Sequence, residues 1–237
     1  MKEFKFSVII PVYRESHLIG PLIEHLLKIG KGHDYEIIVV DGEPAGSTIA
    51  TVKNRKVIKK ISKRGRAIQM NTGADSSTGE IFIFLHADSR LPDNAFGNIE
   101  RVMKTKRYSA GAFDLRMDSK NWFIQLTALT TSWRARLSRI PYGDQAIFIR
   151  RSFFNIIGQY KPIPIMEDVD LMKRIKKKGE KIVILKDKVI TSARRWEEEG
   201  LLLCSIRNKM MGILFGLGCS PFILKKFYPL NKSRKKK

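Results

Sequence analysis

Short apolar runs alternate with stretches of helical period through the first half of the chain, and that alternation predicts much of the architecture. Residues 8–12 carry no polar break, the pattern of a strand covered on both faces. Residues 16–29 follow, with Leu18, Leu22, Leu26 and Ile29 at helical spacing. Residues 36–41 form a second buried strand, 57–62 a weaker one, and 65–76 a helix. Residues 81–85, Ile-Phe-Ile-Phe-Leu, are the clearest strand of all, and Pro92 opens a helix running to about Lys104. Strand and helix in this order predict an open α/β sheet, mostly parallel, with right-handed crossovers and helices on both faces.

The second half is more mixed. Residues 110–115 and 145–150 read as strands on either side of a helix over 122–137. Residues 167–178 form a short helix closed by Gly179, and 182–185 with 189–191 make a last pair of strands. No repeat or Gly/Ser linker divides the chain. The expectation is one domain over residues 1–200 and an appended segment over 201–237. In that segment the uncharged run 210–224, interrupted by Pro221, is shorter than the ~18–20 residues of a helical span. An interfacial helix with snorkelling Arg207 and Lys209 fits it better, with packing into the core as the alternative.

Charge narrows the partners. Of 237 residues, 45 are Lys or Arg against 23 Asp or Glu, a net charge of +22. That points to anionic partners: nucleic acid, nucleotides or a membrane face. Two runs concentrate the charge, residues 53–66 and the polybasic 232–237; a solvated basic face is the ordinary alternative for each. Few aromatics interleave with 53–66, which argues against single-strand nucleic acid binding by stacking. Cys204 and Cys219 are the two cysteines, excluding a disulfide scaffold and a cysteine zinc module. The apolar run after Lys5 is too short for a signal core, so a cytoplasmic location is expected.

Two carboxylates stand at predicted strand ends: Asp41 closes 36–41, and Asp88 lies three residues past Leu85. Ligands of open α/β sheets bind outside those ends, where an Asp can accept from a ribose hydroxyl or hold a hard cation. An Asp after a strand is equally a turn former or helix cap. No Gly-x-Gly-x-x-Gly follows the first strand and no P-loop occurs. His17, His25 and His33 lack partners at metal spacing and read as surface or packing residues.

The ordered motifs resemble those of family 2 glycosyltransferases with the GT-A fold. They run from Ser7-Val8-Ile9-Ile10-Pro11-Val12-Tyr13 through Ile38-Val39-Val40-Asp41-Gly42 to Gly65-Arg66-Ala67 and Asn71-Thr72-Gly73-Ala74. Thr78-Gly79-Glu80-Ile81, His86-Ala87-Asp88, Glu167-Asp168 and Arg195-Trp196 complete the set. Leu85-His86-Ala87-Asp88-Ser89 and Tyr142-Gly143-Asp144-Gln145 are similar to a small bacterial branch of unassigned glycosyltransferases.

The resemblance implies that Pro11, Tyr13 and Glu15 frame a nucleotide base, with Asp41 on the uracil or ribose. Arg66 and Asn71 would lie near the nucleotide, with Arg66 contributing charge beside the diphosphate and His86 touching the sugar. Asp88 matches the last Asp of the Asp-x-Asp motif and would be the ligand of Mn²⁺ or Mg²⁺; His86 stands where the first Asp usually is. Asp168 would be the base that deprotonates the acceptor, beside Glu167, the helix start favouring a charged carboxylate. Gly143, Asp144, Arg195 and Trp196 would meet the acceptor or the diphosphate. Ser192 stands where the Gln-x-x-Arg-Trp motif of processive members has its Gln.

The expected activity is an inverting, metal-assisted transfer from a nucleotide-diphosphate sugar, UDP favoured, to a hydroxyl acceptor. The basic apolar segment suggests a lipid-linked acceptor and an enzyme peripheral to the anionic inner face of the cell membrane, with no nucleic acid partner. The alternatives are a nucleotidyltransferase on a similar sheet and a non-catalytic basic module for nucleic acid or membrane.

Overall fold

A computed structural model describes residues 4–228; the polybasic stretch 232–237 lies outside them. β1 (Phe6–Val12) is buried along its whole length. α1 (Ser16–Ile29) turns Ile19, Leu22, Ile23 and Leu26 inward. β2 (Tyr35–Asp41) is buried from Ile37 onward, and the single turn α2 (Ser47–Ala50) leads to the half-exposed β3 (Val57–Ile61). After α3 (Arg66–Asp75), β4 (Ile81–Phe84) is again wholly buried. β5 (Ser89–Arg90), α4 (Ala95–Lys104), β6 (Ala110–Asp118) and α5 (Trp122–Ser138) follow. A 3₁₀ turn at Gly143–Gln145 precedes β7 (Phe148–Arg150), α6 (Arg151–Ile156) and α7 (Glu167–Lys177). β8 (Ile182–Ser192), α8 (Arg194–Glu199), α9 (Leu201–Gly216) and α10 (Pro221–Lys226) complete the described chain.

The strands form one sheet in the order β3-β2-β1-β4-β7-β6-β8-β5. The first four are parallel, the arrangement that continuous apolar runs require. β7 then runs antiparallel between β4 and β6, β8 is parallel to β6, and β5 is an antiparallel edge on β8. This reversal serves the site. Because β7 opposes β4, the turn before β7 lies at the same edge as the loop after β4.

Two apolar clusters fill the two faces. One joins α1 and α4 to Val8, Ile10, Ile83 and Phe113. The other joins α3, α6 and α7 to Ile9, Val40, Phe82 and Ile149. α3 approaches closely at Gly73, where a Cβ would stand 2.4 Å from Ile9 Cγ2. Packing of helix on sheet explains that glycine.

Several sequence expectations shift. The last pair of strands is one strand: Leu185 pairs with Phe113 and Lys188 with Asp114, so Lys186 and Asp187 bulge and hide the continuity. The strand expected over 145–150 begins at Phe148, Gln145 belonging to the 3₁₀ turn and Ala146 capping it in left-handed backbone. Pro92 lies before α4 rather than within it, its carbonyl accepting from the N–H of Ala95. The run 210–224 is cut into two helices, with the Ser220 side chain capping α10 and Pro221 at its first position.

Candidate active site

Of the predicted residues, Glu15, Arg66, His86, Asp88, Asp144, Glu167, Asp168 and Arg195 come within electrostatic reach of one another near the carboxyl edge of β1 and β4. Asp88 lies in the loop after β4, and its carbonyl accepts from Ser192 N–H at 3.1 Å, tying that loop to the end of β8. The 3₁₀ turn comes in from the same edge. Gly143 N–H donates to Asp168 Oδ2 at 2.5 Å, and Val169 N–H donates to Oδ1 at 2.7 Å. A Cβ on Gly143 would stand 3.1 Å from His86 Nε2 and 3.4 Å from Asp168 Oδ2. Gly143 therefore lies between His86 and Asp168, with little room for a side chain. Ala146 (φ 50°) and Met166 (φ 65°) adopt left-handed backbone beside the turn and before α7, the kind of strain found where a site is held in shape.

Charges alternate across the site. Arg66, its side chain 52% exposed, places Nη1 3.5 Å from the buried Glu167 carboxylate. It also interacts with Asp168, Asp88 and Glu15. Burial raises the pKa of Glu167 and outweighs the effect of Arg66. Burial likewise raises Glu15, against the pull of the Tyr13 N–H that it accepts at 3.2 Å. Burial, then Arg66 and Arg195, holds the His86 imidazole well below its ordinary value, so it is neutral at physiological pH. Asp144 is pushed up to about 6, first by burial and then by Asp168. Its Oδ1 is buried and finds no hydrogen-bond partner among the described residues.

Other predicted residues serve the fold. Asp41 is fully buried and accepts from the N–H groups of Glu43 and Thr48, at 2.9 Å each, and of Ile49 at 3.3 Å. It shapes the 43–49 loop. Asn71 spends both ends of its amide on the backbone of Tyr160, at 2.8 and 3.1 Å. Pro11 is buried in β1, whereas the Tyr13 ring is half-exposed under the Arg64 guanidinium, 4.1 Å from its centroid. Trp196 packs against the first core cluster. His25 bonds the Leu91 carbonyl at 2.8 Å and His33 stacks on Phe96, packing roles both.

Sequence reasoning missed two residues. Arg195 Nη1 donates to the Tyr228 hydroxyl, and the Tyr228 ring receives Arg195, Arg207 and Lys225 at 4.8, 5.2 and 5.5 Å. Burial and then Arg66, Arg64 and Arg195 lower the pKa of Lys225. These cations repel one another, and Glu199, 3.8 Å from Arg195 and 2.5 Å from Arg207, offsets part of that repulsion. The signal in sequence was only that Lys225 ends an apolar run. A hollow of about 300 Å³ lined by Arg107, Lys176 and Lys181 lies elsewhere and includes none of these residues.

The family model for glycosyl transferase family 2 matches residues 7–163, from β1 through the 3₁₀ turn and α6. The chain belongs to glycosyl transferase family 2. Dolichol-phosphate mannosyltransferase of Pyrococcus furiosus is 26% identical over 106 residues, 42% of this chain and 30% of that protein. A PGL/p-HBAD biosynthesis glycosyltransferase of Mycobacterium tuberculosis is 25% identical over 181 residues, 65% of this chain and 62% of its own length. The family 2 chain thus spans less than two thirds of either relative. Among solved structures, mannosyltransferase PcManGT of Pyrobaculum calidifontis, in complex with GDP-Man and Mn²⁺, superposes with a TM-score of 0.61 at 18% identity, over 80% of this chain and 57% of that one. S. aureus TarS 1–349 superposes with a TM-score of 0.61 at 16% identity, over 91% and 66%. The fold is the GT-A fold.

Among the described residues of this family 2 chain, no three His, Cys, Asp or Glu side chains gather to hold a metal ion. Asp88 with a neutral His86 close by is a sparse donor set. It fits a cation that takes most of its ligands from diphosphate oxygens and water, the habit of Mg²⁺ and Mn²⁺ in phosphate chemistry.

Proposed function

We propose that the chain transfers a sugar from a nucleotide-diphosphate sugar to a hydroxyl acceptor, with inversion at the anomeric carbon. The observation that supports the reading is the approach of Gly143 to both His86 and Asp168, with Arg66 in charge interaction with Asp88 and Asp168 beside them. Pro11, Tyr13 and Glu15 frame the base, on a loop that Asp41 holds closed. Arg66, Arg195 and Lys225 draw the diphosphate, its charge adding to the partial neutralisation that Glu167 gives Arg66 and Glu199 gives Arg195. Asp88 and the diphosphate would hold a divalent cation, which when bound neutralises charge on the departing nucleoside diphosphate.

Asp168 accepts the acceptor's proton while the acceptor oxygen forms its bond to the anomeric carbon. The bond from that carbon to the phosphate oxygen breaks on the opposite side. Gly143 and Val169 N–H fix the plane of the Asp168 carboxylate, and each oxygen retains a free lone pair for this work. His86, neutral beside Gly143, bonds the sugar. The solved relatives carry GDP-Man or UDP-GlcNAc; UDP is the first donor to try here. The Pyrococcus relative's name points to a lipid-linked acceptor, in keeping with a protein peripheral to the cytoplasmic face of the membrane.

The test is transfer from UDP-, GDP- and dTDP-sugars to lipid-linked hydroxyl acceptors, read as nucleoside diphosphate release and product configuration by NMR. An inverted anomeric centre is expected. Retained configuration, or no release from any donor, contradicts the proposal.

A further inference from the structure

The side chains that α5 shows to water are larger than those it buries. Ile124, Ala128, Ser132 and Ala135 face inward. Trp122, Leu126, Leu129, Trp133 and Leu137 form an outward stripe at helical spacing, with Trp122 74%, Trp133 65% and Leu137 84% exposed. α9 repeats the arrangement, burying Cys204, Ser205, Arg207 and Met211. Its Leu202, Ile206, Met210 and Ile213 are exposed, as is Leu217 at its C-cap. The two helices pack against each other, and α10 adds Phe222, Ile223 and Phe227. So much exposed apolar area marks a contact surface.

Charge says what covers it. No acidic residue lies between Asp118 and Asp144, and none follows Glu199. The same stretches expose Lys120, Arg139, Lys209 and Lys226, and the last nine residues of the sequence add five more cations. Such a surface is complementary to a sheet of anions with an apolar interior. Neither helix can cross it. No helix among the described residues is long and apolar enough to span a membrane. Each is also tied down from inside: Arg136 bonds both oxygens of Asp114 at 2.9 and 2.5 Å, Leu115 N–H donates to Ser132 Oγ at 2.8 Å, and Arg207 pairs with Glu199 at 2.5 Å.

We infer that α5, α9 and α10 form an in-plane docking surface for an anionic lipid bilayer, with Trp122 and Trp133 at the headgroup boundary and the flanking cations on the lipid phosphates. The docked layer adjoins the site, since a Cβ on Gly212 of α9 would stand 2.8 Å from the Tyr142 hydroxyl, beside the Gly143 turn. This deepens the lipid-acceptor part of the proposed function and rests on that reading only for where the acceptor enters.

The test floats the full chain with vesicles of phosphatidylcholine alone or of equal parts phosphatidylcholine and phosphatidylglycerol. Wild type is expected to float with the anionic vesicles, with a blue shift of tryptophan emission, and with neutral ones far less. Trp122→Ser with Trp133→Ser, and separately Ile206→Ser with Ile213→Ser, are each expected to lower partition about tenfold or more. Their unfolding temperatures and nucleotide-induced stabilisation should stay at the wild-type level. Flotation of both variants equal to wild type, or none by wild type, overturns the inference. A concentration-dependent dimer broken by the same substitutions also overturns it, assigning the face to a second copy. Asp88→Ala is expected to float like wild type, which separates failure of docking from failure of the transferase reading.

Discussion

The backbone N–H of Gly143 donates to Oδ2 of Asp168 at 2.5 Å, joining the turn before β7 to the first turn of α7. This contact aims the proposed base. Asp168→Asn preserves an acceptor for Gly143 but cannot take a proton, so kcat should fall by about 10²–10⁴-fold with little change in unfolding temperature. Gly143→Ala tests the same contact from the other side. Its methyl would press on His86 and Asp168 at 3.1 and 3.4 Å, and kcat should drop about tenfold through misplacement. Steady-state kinetics and thermal unfolding on both variants check this.

The Asp144 carboxyl gives a pH prediction. It ionises near 6 in the folded chain against an ordinary value of 3.8, because it is buried and faces Asp168. A raised folded pKa means that ionisation costs the native state free energy as pH rises from 3.8, with the cost complete above 6. Asp144→Asn removes a cost on the order of 1–3 kcal/mol. The variant should be the more thermostable above about pH 7, and the gain should vanish below about pH 4. Thermal unfolding across that range reads it directly.

Much of the fold is legible in the sequence because β1, β2 and β4 lie in the parallel half of the sheet, where burial on both faces leaves unbroken apolar runs. β8 is not legible as one strand, since Lys186 and Asp187 bulge from it and mimic a turn. In the site, strand-end position singles out Asp41 and Asp88 alike, but only three-dimensional contacts show that Asp41 spends its oxygens on the loop that follows. The α5 surface is hidden for a different reason. Its large residues at helical spacing read as a core face, and small Ala128, Ser132 and Ala135 do not announce that they take the inward side.

Lys225 and Tyr228 extend the cationic cluster from a segment that reads as tail. Lys225→Ala should weaken nucleoside-diphosphate binding about fivefold, close to the loss of one charge-assisted hydrogen bond in a partly exposed site. Tyr228→Phe removes the hydroxyl that receives Arg195, and donor KM should rise while acceptor KM holds. Calorimetric titration and initial-rate kinetics separate the two effects.

The most direct measurement is nucleotide binding to wild type, Asp88→Ala and Asp168→Asn, titrated with UDP, GDP, dTDP and their sugar conjugates, with and without Mn²⁺. One nucleotide should bind wild type and Asp168→Asn in the presence of metal and lose that metal dependence in Asp88→Ala, and its sugar conjugate should turn over at full rate only on wild type. Binding to Asp88→Ala with wild-type affinity and metal dependence, or no binding of any nucleotide to wild type, would contradict the account.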